Sequence, residues 1–152
     1  MTAKEIKQAL FQICFDKAEH RHQNIKHTIA DIDESLAEES KSSSGDELDN
    51  SRAMMQIDRE NATKQLHEVL AIKELLKKID VNTTSDYARL GSLIKTEKAT
   101  YFISLSIGAV EVQGSSFLCI ALNSPIGQAI SGKIKGEVFS FNGMESKILR
   151  ID

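Results

Sequence analysis

The chain has 152 residues, 41% of them hydrophobic and 27% charged, with a formal net charge of -3. That length and apolar share suit one ordinary domain or two small ones and exclude an intrinsically disordered chain, while the slight negative balance excludes nucleic-acid binding through one broad basic surface and leaves only local basic stripes. No apolar run reaches 18 residues, and the N-terminal MTAKEIKQALFQICFDK lacks the long apolar core and small-residue cleavage site of a secretory signal, so a cytoplasmic protein without a membrane span is expected.

From Thr2 to Ile79 there is no proline and a single glycine, Gly45, which is a helical composition. Ile25, Ile29, Ile32 and Leu36 recur at spacings of four and three, and Ile6, Leu10, Phe11, Cys14 and Ala18 extend that seam upstream. Leu48, Met55, Ala62, Val69 and Leu76 then fall seven apart, with Leu66 and Ile72 between them, as a heptad seam does. The two seams predict helices over residues 3–40 and 46–79 that reverse at 42–45. Antiparallel pairing would set Ile32 beside Met55, Ile25 beside Ala62, Ala18 beside Val69 and Phe11 near Leu76. At 1.5 Å per residue such an arm would be roughly 50 Å long.

The turn between the two helices, EESKSSSGDELDNSRAMMQ (38–56), is dense in acids. Ser44 and Glu47 fit a capping box, and acids in a first helical turn are favoured by the macrodipole. Glu38 and Glu39 lie at the end of the incoming helix, where capping does not explain them. A well-capped solvated turn and a functional acidic tip are both open on spacing alone.

The composition changes near residue 80. DVNTTSD (80–86) is a cluster of turn and cap residues that makes a natural linker. Beyond it come the other seven glycines, the only proline, and the short β-rich runs TYFISL, FLCIAL and EVFSF, with KILRID closing the chain. The expected organisation is therefore an arm over 1–80 with its acidic tip at 42–50, followed by a β-rich domain over 81–152, an α+β chain. Pro125 to Ile130 should form a short helix with Ser124 or Asn123 as cap and Gly132 near its end.

Two motifs carry a family resemblance. Gly45-Asp46-Glu47-Leu48-Asp49-Asn50 resembles the G-D-x-x-[DE]-N tip of the Gre family, the GreA/GreB-like bacterial transcription elongation factors that stimulate transcript cleavage. Leu122 to Lys133, LNSPIGQAISGK, resembles the family segment [DN]-S-P-[IL]-x-x-A-[IL]-x-G-K. With the helical arm and the terminal strand, the similarity spans nearly the whole chain. It implies an N-terminal antiparallel coiled-coil hairpin followed by a small FKBP-like domain. It also implies a partner, bacterial RNA polymerase, whose secondary channel the arm would enter while Asn123, Ser124 and Pro125 meet the channel rim.

By the same resemblance Asp46 and Asp49 would act in trans at the polymerase active site, sharing a weakly held second Mg²⁺ and so stimulating hydrolysis of backtracked RNA. Two metals about 3.5–4 Å apart stabilise the attacking and leaving oxygens of such a displacement, and the weakly held ion needs extra hard oxygen ligands. An i,i+3 pair at a helix start puts both carboxylates on one side. Asp49 stands where many family members have Glu, one methylene longer. Gly45, Glu47, Asn50 and Arg52 would support the tip, with Glu47 as cap rather than ligand. Arg52 is open between a phosphate contact and a surface salt bridge. Lys26, Arg59 and Lys64 are open between a stripe toward the RNA 3′ end and a solvated face.

The remaining candidates are blander. Cys14 and Cys119 lie in apolar runs without CxxC spacing and are expected to be reduced packing residues. His20 and His22 diverge on a helix, and His27 and His67 have no ligand partner at zinc-site spacing. No GxSxG, Walker A or Rossmann fingerprint occurs, so the expectation is no enzyme in its own right, no cofactor of its own, and a monomer. Two other readings stand beside cleavage stimulation: a channel-binding regulator without cleavage activity, and a generic coiled-coil interaction protein to which Met54 and Met55 would lend adaptable contacts.

Overall fold

The computed structural model describes residues 1–39 and 46–152, with side chains from residue 50 onward in the second helix. Helix α1 runs over Ala3–Glu39 and α2 over Asp46–Lys77. The predicted reversal at 42–45 lies outside the described residues. Six strands follow, β1 (Leu93–Thr96), β2 (Thr100–Ser104), β3 (Gly108–Val112), β4 (Ser115–Ala121), β5 (Val138–Phe141) and β6 (Met144–Ile151), with the short helix α3 (Pro125–Ile130) between β4 and β5. The chain is thus α+β, a long N-terminal helical hairpin followed by a six-stranded sheet. By contacts it divides into two compact units, one of Met1–Asp16 with Leu75–Asp152 and one of Lys17–Glu74. The break in composition near residue 80 marks where helix gives way to sheet, whereas the first turns of α1 and the last of α2 belong with the sheet.

In the unit 17–74 the two helices run antiparallel, because their cross-pairs step backward along one helix as they step forward along the other. Glu19 meets Lys73, Arg21 meets Glu68, Asp33 meets Arg59 and Glu39 meets Ser51. Among the described residues of this unit the buried side chains are Ala18, Ile25, Ala62 and Val69, members of the predicted seams at matching positions. Ile29, Ile32, Leu36, Met55 and Leu66 are half-buried beside them. A two-helix layer has no third element to close its core, so a narrow seam is all that it can cover.

In the other unit the strand order is β3-β4-β2-β1-β6-β5, with β2 and β4 parallel and every other pair antiparallel. Two-residue turns at Gln113-Gly114 and Asn142-Gly143 close the β3–β4 and β5–β6 hairpins, all four with positive φ, the conformation that matches the strands' twist. Side chains alternate between the two faces. One face buries Ile94, Ile103, Ile120, Phe139 and Ile148 with Ile130 of α3 and Ala88. The other carries Leu93, Phe102, Ser104, Phe117 and Cys119, all buried, and the Cys14–Ser104 contact brings α1 against it. At this end of α1 the most deeply buried positions are Leu10 and Cys14, and Phe11, expected near Leu76, is half-buried.

Candidate functional site

Asp46 opens α2 and Asp49 follows three residues later, both inside the first helical turn. Their side chains, with those of Glu47 and Leu48, lie outside the described residues, as does all of Gly45. The scaffold around them is described. The hydroxyl of Ser51 donates to Glu39 Oε1 at 3.1 Å, joining the end of α1 to the start of α2. This gives Glu39 a structural role that capping did not. Asn50 is exposed, while Arg52 is half-buried and has a partner within the chain.

Further along, Arg59 donates through Nε to Asp33 Oδ1 at 2.6 Å and through Nη2 to Asp33 Oδ2 at 3.2 Å. Hydrogen bonding to Arg59 holds the Asp33 carboxyl below the usual carboxylate range, and Asp33 in turn raises Arg59. A fork-shaped guanidinium gripped on both nitrogens is a cross-link of the hairpin. Arg59 and Lys64 line one shallow groove of about 510 Å³ with Gln56, Glu60 and Thr63, and Lys26 is exposed. Of the predicted basic stripe, Arg59 is committed to Asp33.

A third cross-pair was not anticipated. Lys73 Nζ contacts Glu19 Oε2 at 2.6 Å and His22 Nδ1 at 3.0 Å, and hydrogen bonds from Lys73 and Gln23 hold Glu19 below its ordinary range. The signal was present in the heptad frame. If Met55, Ala62, Val69 and Leu76 occupy one seam position, the alternate position falls on Arg52, Arg59, Leu66 and Lys73, so three of the four are cations at the edge of the helix interface. Long basic side chains cover apolar surface with their stems while the charged head reaches an acid.

The second predicted surface is built around α3. Ser124 is its N-cap, accepting from the Gly127 N–H at 3.1 Å and donating to the Ala121 carbonyl at 2.6 Å, with Pro125 at the first helical position. Gln128 Nε2 donates to the Asn123 carbonyl at 3.1 Å. Asn123 and Pro125 are exposed and Ser124 is half-buried. Gly132 follows the C-cap with φ +78° and donates its N–H to the Ala88 carbonyl at 2.8 Å, while the Ala88 N–H donates to the Lys133 carbonyl at 2.8 Å. The predicted cap, proline and glycine thus occupy the predicted positions.

Among the described residues no group of three or more His, Cys, Asp or Glu is placed to hold a metal ion, and no helix is long and apolar enough to cross a membrane. The molecule is therefore an α+β chain in which a cross-linked helical hairpin has Asp46, Glu47 and Asp49 in the first turn of its second helix, and a loop–helix surface presents Asn123 and Pro125. No protein-family model and no curated protein sequence matches it. Over most of its length it is similar to the crystal structure of GreA factor homolog 1 (Gfh1) of Thermus thermophilus, with 15% identity, 93% of this chain and 94% of that chain covered, and a TM-score of 0.35. It is likewise similar to a structure described as the transcription factor Gfh1, with 14% identity, 93% and 92% covered, and a TM-score of 0.34.

Proposed function

We propose that this chain is a transcription factor that binds RNA polymerase and lends Asp46 and Asp49 to a second, weakly held Mg²⁺ at the polymerase active site, so stimulating cleavage of backtracked RNA. The observation that carries the reading is the position of the two acids. They stand i and i+3 in the first turn of α2, beside a hairpin end that Ser51 and Glu39 join. Carboxylates three apart on a helix share a side, and two hard oxygen donors are what a second metal short of ligands requires. Two of the cations at the seam edge are paired across the hairpin, Arg59 with Asp33 and Lys73 with Glu19. Catalysis belongs to the polymerase in this reading, and the protein supplies ligands rather than an active site of its own.

A second reading is favoured by one observation: Asp49 is one methylene shorter than the Glu common in the family that the tip resembles. In that reading the chain occupies the same channel as a regulator and supports no hydrolysis. The deciding experiment measures Mg²⁺-dependent release of short 3′ fragments from stalled, backtracked complexes of the cognate polymerase, with binding measured in parallel. The wild-type protein accelerates release, and Asp46→Asn and Asp49→Asn abolish the acceleration because an amide keeps the shape but loses the charge that holds the ion. Asp49→Glu preserves or raises it. Binding without acceleration replaces the cleavage factor with the regulator, and absence of binding removes both.

A further inference from the structure

We infer that Cys14 and Cys119 form a redox-responsive latch, a disulfide that ties the first turns of α1 to strand β4. They are the chain's two cysteines, distant in sequence, yet they meet in one place. Cys14 is 0% and Cys119 1% exposed, and neither is in a disulfide. Ser104, itself fully buried, sits beside them with its Oγ 3.5 Å from Cys14 Sγ and also donates to the Phe102 carbonyl. Cys119 pairs with Phe102 across the parallel β2–β4 ladder, so the hydroxyl and both sulfurs lie on the same face of the sheet. Two cysteines acting only as small apolar fillers need not converge; these two, one on a helix and one on a strand, lie beside the same buried Ser104 on one face of the sheet.

The closed pair is protected. Its hydrogen bond with Cys14 and then burial push the Cys119 thiol well above the ordinary thiol range, and a protonated, buried thiol is a poor nucleophile. Exchange therefore requires the first turns of α1 to lift. A groove of about 390 Å³ is lined by Met1, Ala3 and Ile6 with Leu93 and Phe117, so the start of α1 does not close fully on the sheet. Cys14 lies two residues before the end of the segment of α1 that belongs to the sheet unit, so the bond would anchor that segment near its last turn.

The oxidant is a low-molecular-weight disulfide of the glutathione class. One cysteine thiolate attacks a sulfur of the disulfide, a glutathione thiolate leaves and takes up the proton, and a mixed disulfide forms. The second cysteine then attacks the protein sulfur of that mixed disulfide and expels the second glutathione. The two protein thiols are oxidised to one disulfide and the glutathione disulfide is reduced to two thiols, with both protons carried off.

The test equilibrates the full-length protein in buffers of graded reduced-to-oxidised glutathione ratio, followed by acid quenching, alkylation, intact mass and peptide mapping. The expected product is a monomer lighter by two hydrogens, with a Cys14–Cys119 linked peptide, reversed by dithiothreitol. Its Tm rises by roughly 5–10 °C over the reduced form, because the bond closes a long loop in the unfolded chain. Concentrations of urea below the unfolding transition speed its formation, as opening of α1 demands. Cys14→Ser and Cys119→Ala each stop at a mixed disulfide. The inference is overturned if the wild-type end state is a mixed disulfide or a cross-linked dimer, or if the oxidised monomer melts below the reduced one. These wild-type readouts stand even if neither variant folds.

Discussion

A Cβ built on Gly127 would lie 2.1 Å from the Ala121 carbonyl oxygen and 2.7 Å from that of Leu122. Both are backbone atoms at the end of β4, fixed by the sheet and by the Ser124 cap, so the glycine is required by close approach rather than by its φ. Gly127→Ala is expected to destabilise the protein by about 1–3 kcal/mol, the range for overpacking a filled site, read as a lower urea midpoint at unchanged m. Gly132 is the contrasting case. A Cβ there meets nothing within 4 Å, and the cost comes from φ +78° alone, so Gly132→Ala should cost about 1–2 kcal/mol through left-handed strain.

Lys7 is the buried cation that composition did not reveal. It is 2% exposed and donates from Nζ to the Thr83 carbonyl at 2.9 Å. Desolvation lowers its pKa below the ordinary 10.5, Arg89 adding to the effect and Asp152 and Asp80 opposing it. A lowered folded value means that at high pH the folded state releases this proton before the unfolded state does. The Lys7 contribution to stability therefore rises with pH, from the lowered value up to 10.5. Below that window the full cost of burying the charge is present. In Lys7→Met this increment should vanish: the difference between wild-type and variant stability, from urea titrations at successive pH values, should narrow or change sign toward pH 10.5.

At the scale of elements, the hairpin depends on few side chains. Ile25 is 6% exposed in a two-helix seam, whereas Ile57 on α2 is 56% exposed. Ile25→Ala is expected to cost about 2–5 kcal/mol, as large-to-small changes at buried positions do, and to reduce helicity by circular dichroism. Ile57→Ala should stay within about 0.5 kcal/mol. Equal losses at both positions would mean that Ile57 has a partner of its own and that the seam is not where the stability resides.

At the scale of the whole molecule, the proposed function uses one surface in each compact unit, the start of α2 and the α3 loop. Pro125 is exposed at the first position of α3, where its fixed φ suits a helix start. Ser124 and Gly127 supply the cap without help from the proline ring. Pro125→Ala should therefore leave the melting profile nearly unchanged and weaken polymerase binding. Unchanged affinity in the folded variant would remove this loop from the interface while leaving the role of Asp46 and Asp49 to the cleavage assay.

Much of this architecture was legible in the residues themselves, for local reasons. A stretch with one glycine and no proline forms helix wherever apolar residues recur every three or four positions, and the two seams agree in only one antiparallel register. Ser124, Pro125 and Gly132 announced α3 because cap, fixed φ and positive φ are properties of single residues. The runs TYFISL, FLCIAL and EVFSF became β2, β4 and β5 in the same way. Asp46 and Asp49 were legible as an i,i+3 pair at a helix start, which is a matter of spacing alone. What tertiary structure decided depends on which distant segments meet. The parallel pairing of β2 with β4, the membership of Met1–Asp16 in the sheet unit, the burial of Lys7, and the grip of Asp33 on Arg59 and Glu19 on Lys73 have no local signature, because a charge is read as exposed until its partner is known. The same holds for Cys14 and Cys119: each looked like a packing residue in its own apolar run, and only the seating of α1 on the sheet made them a pair.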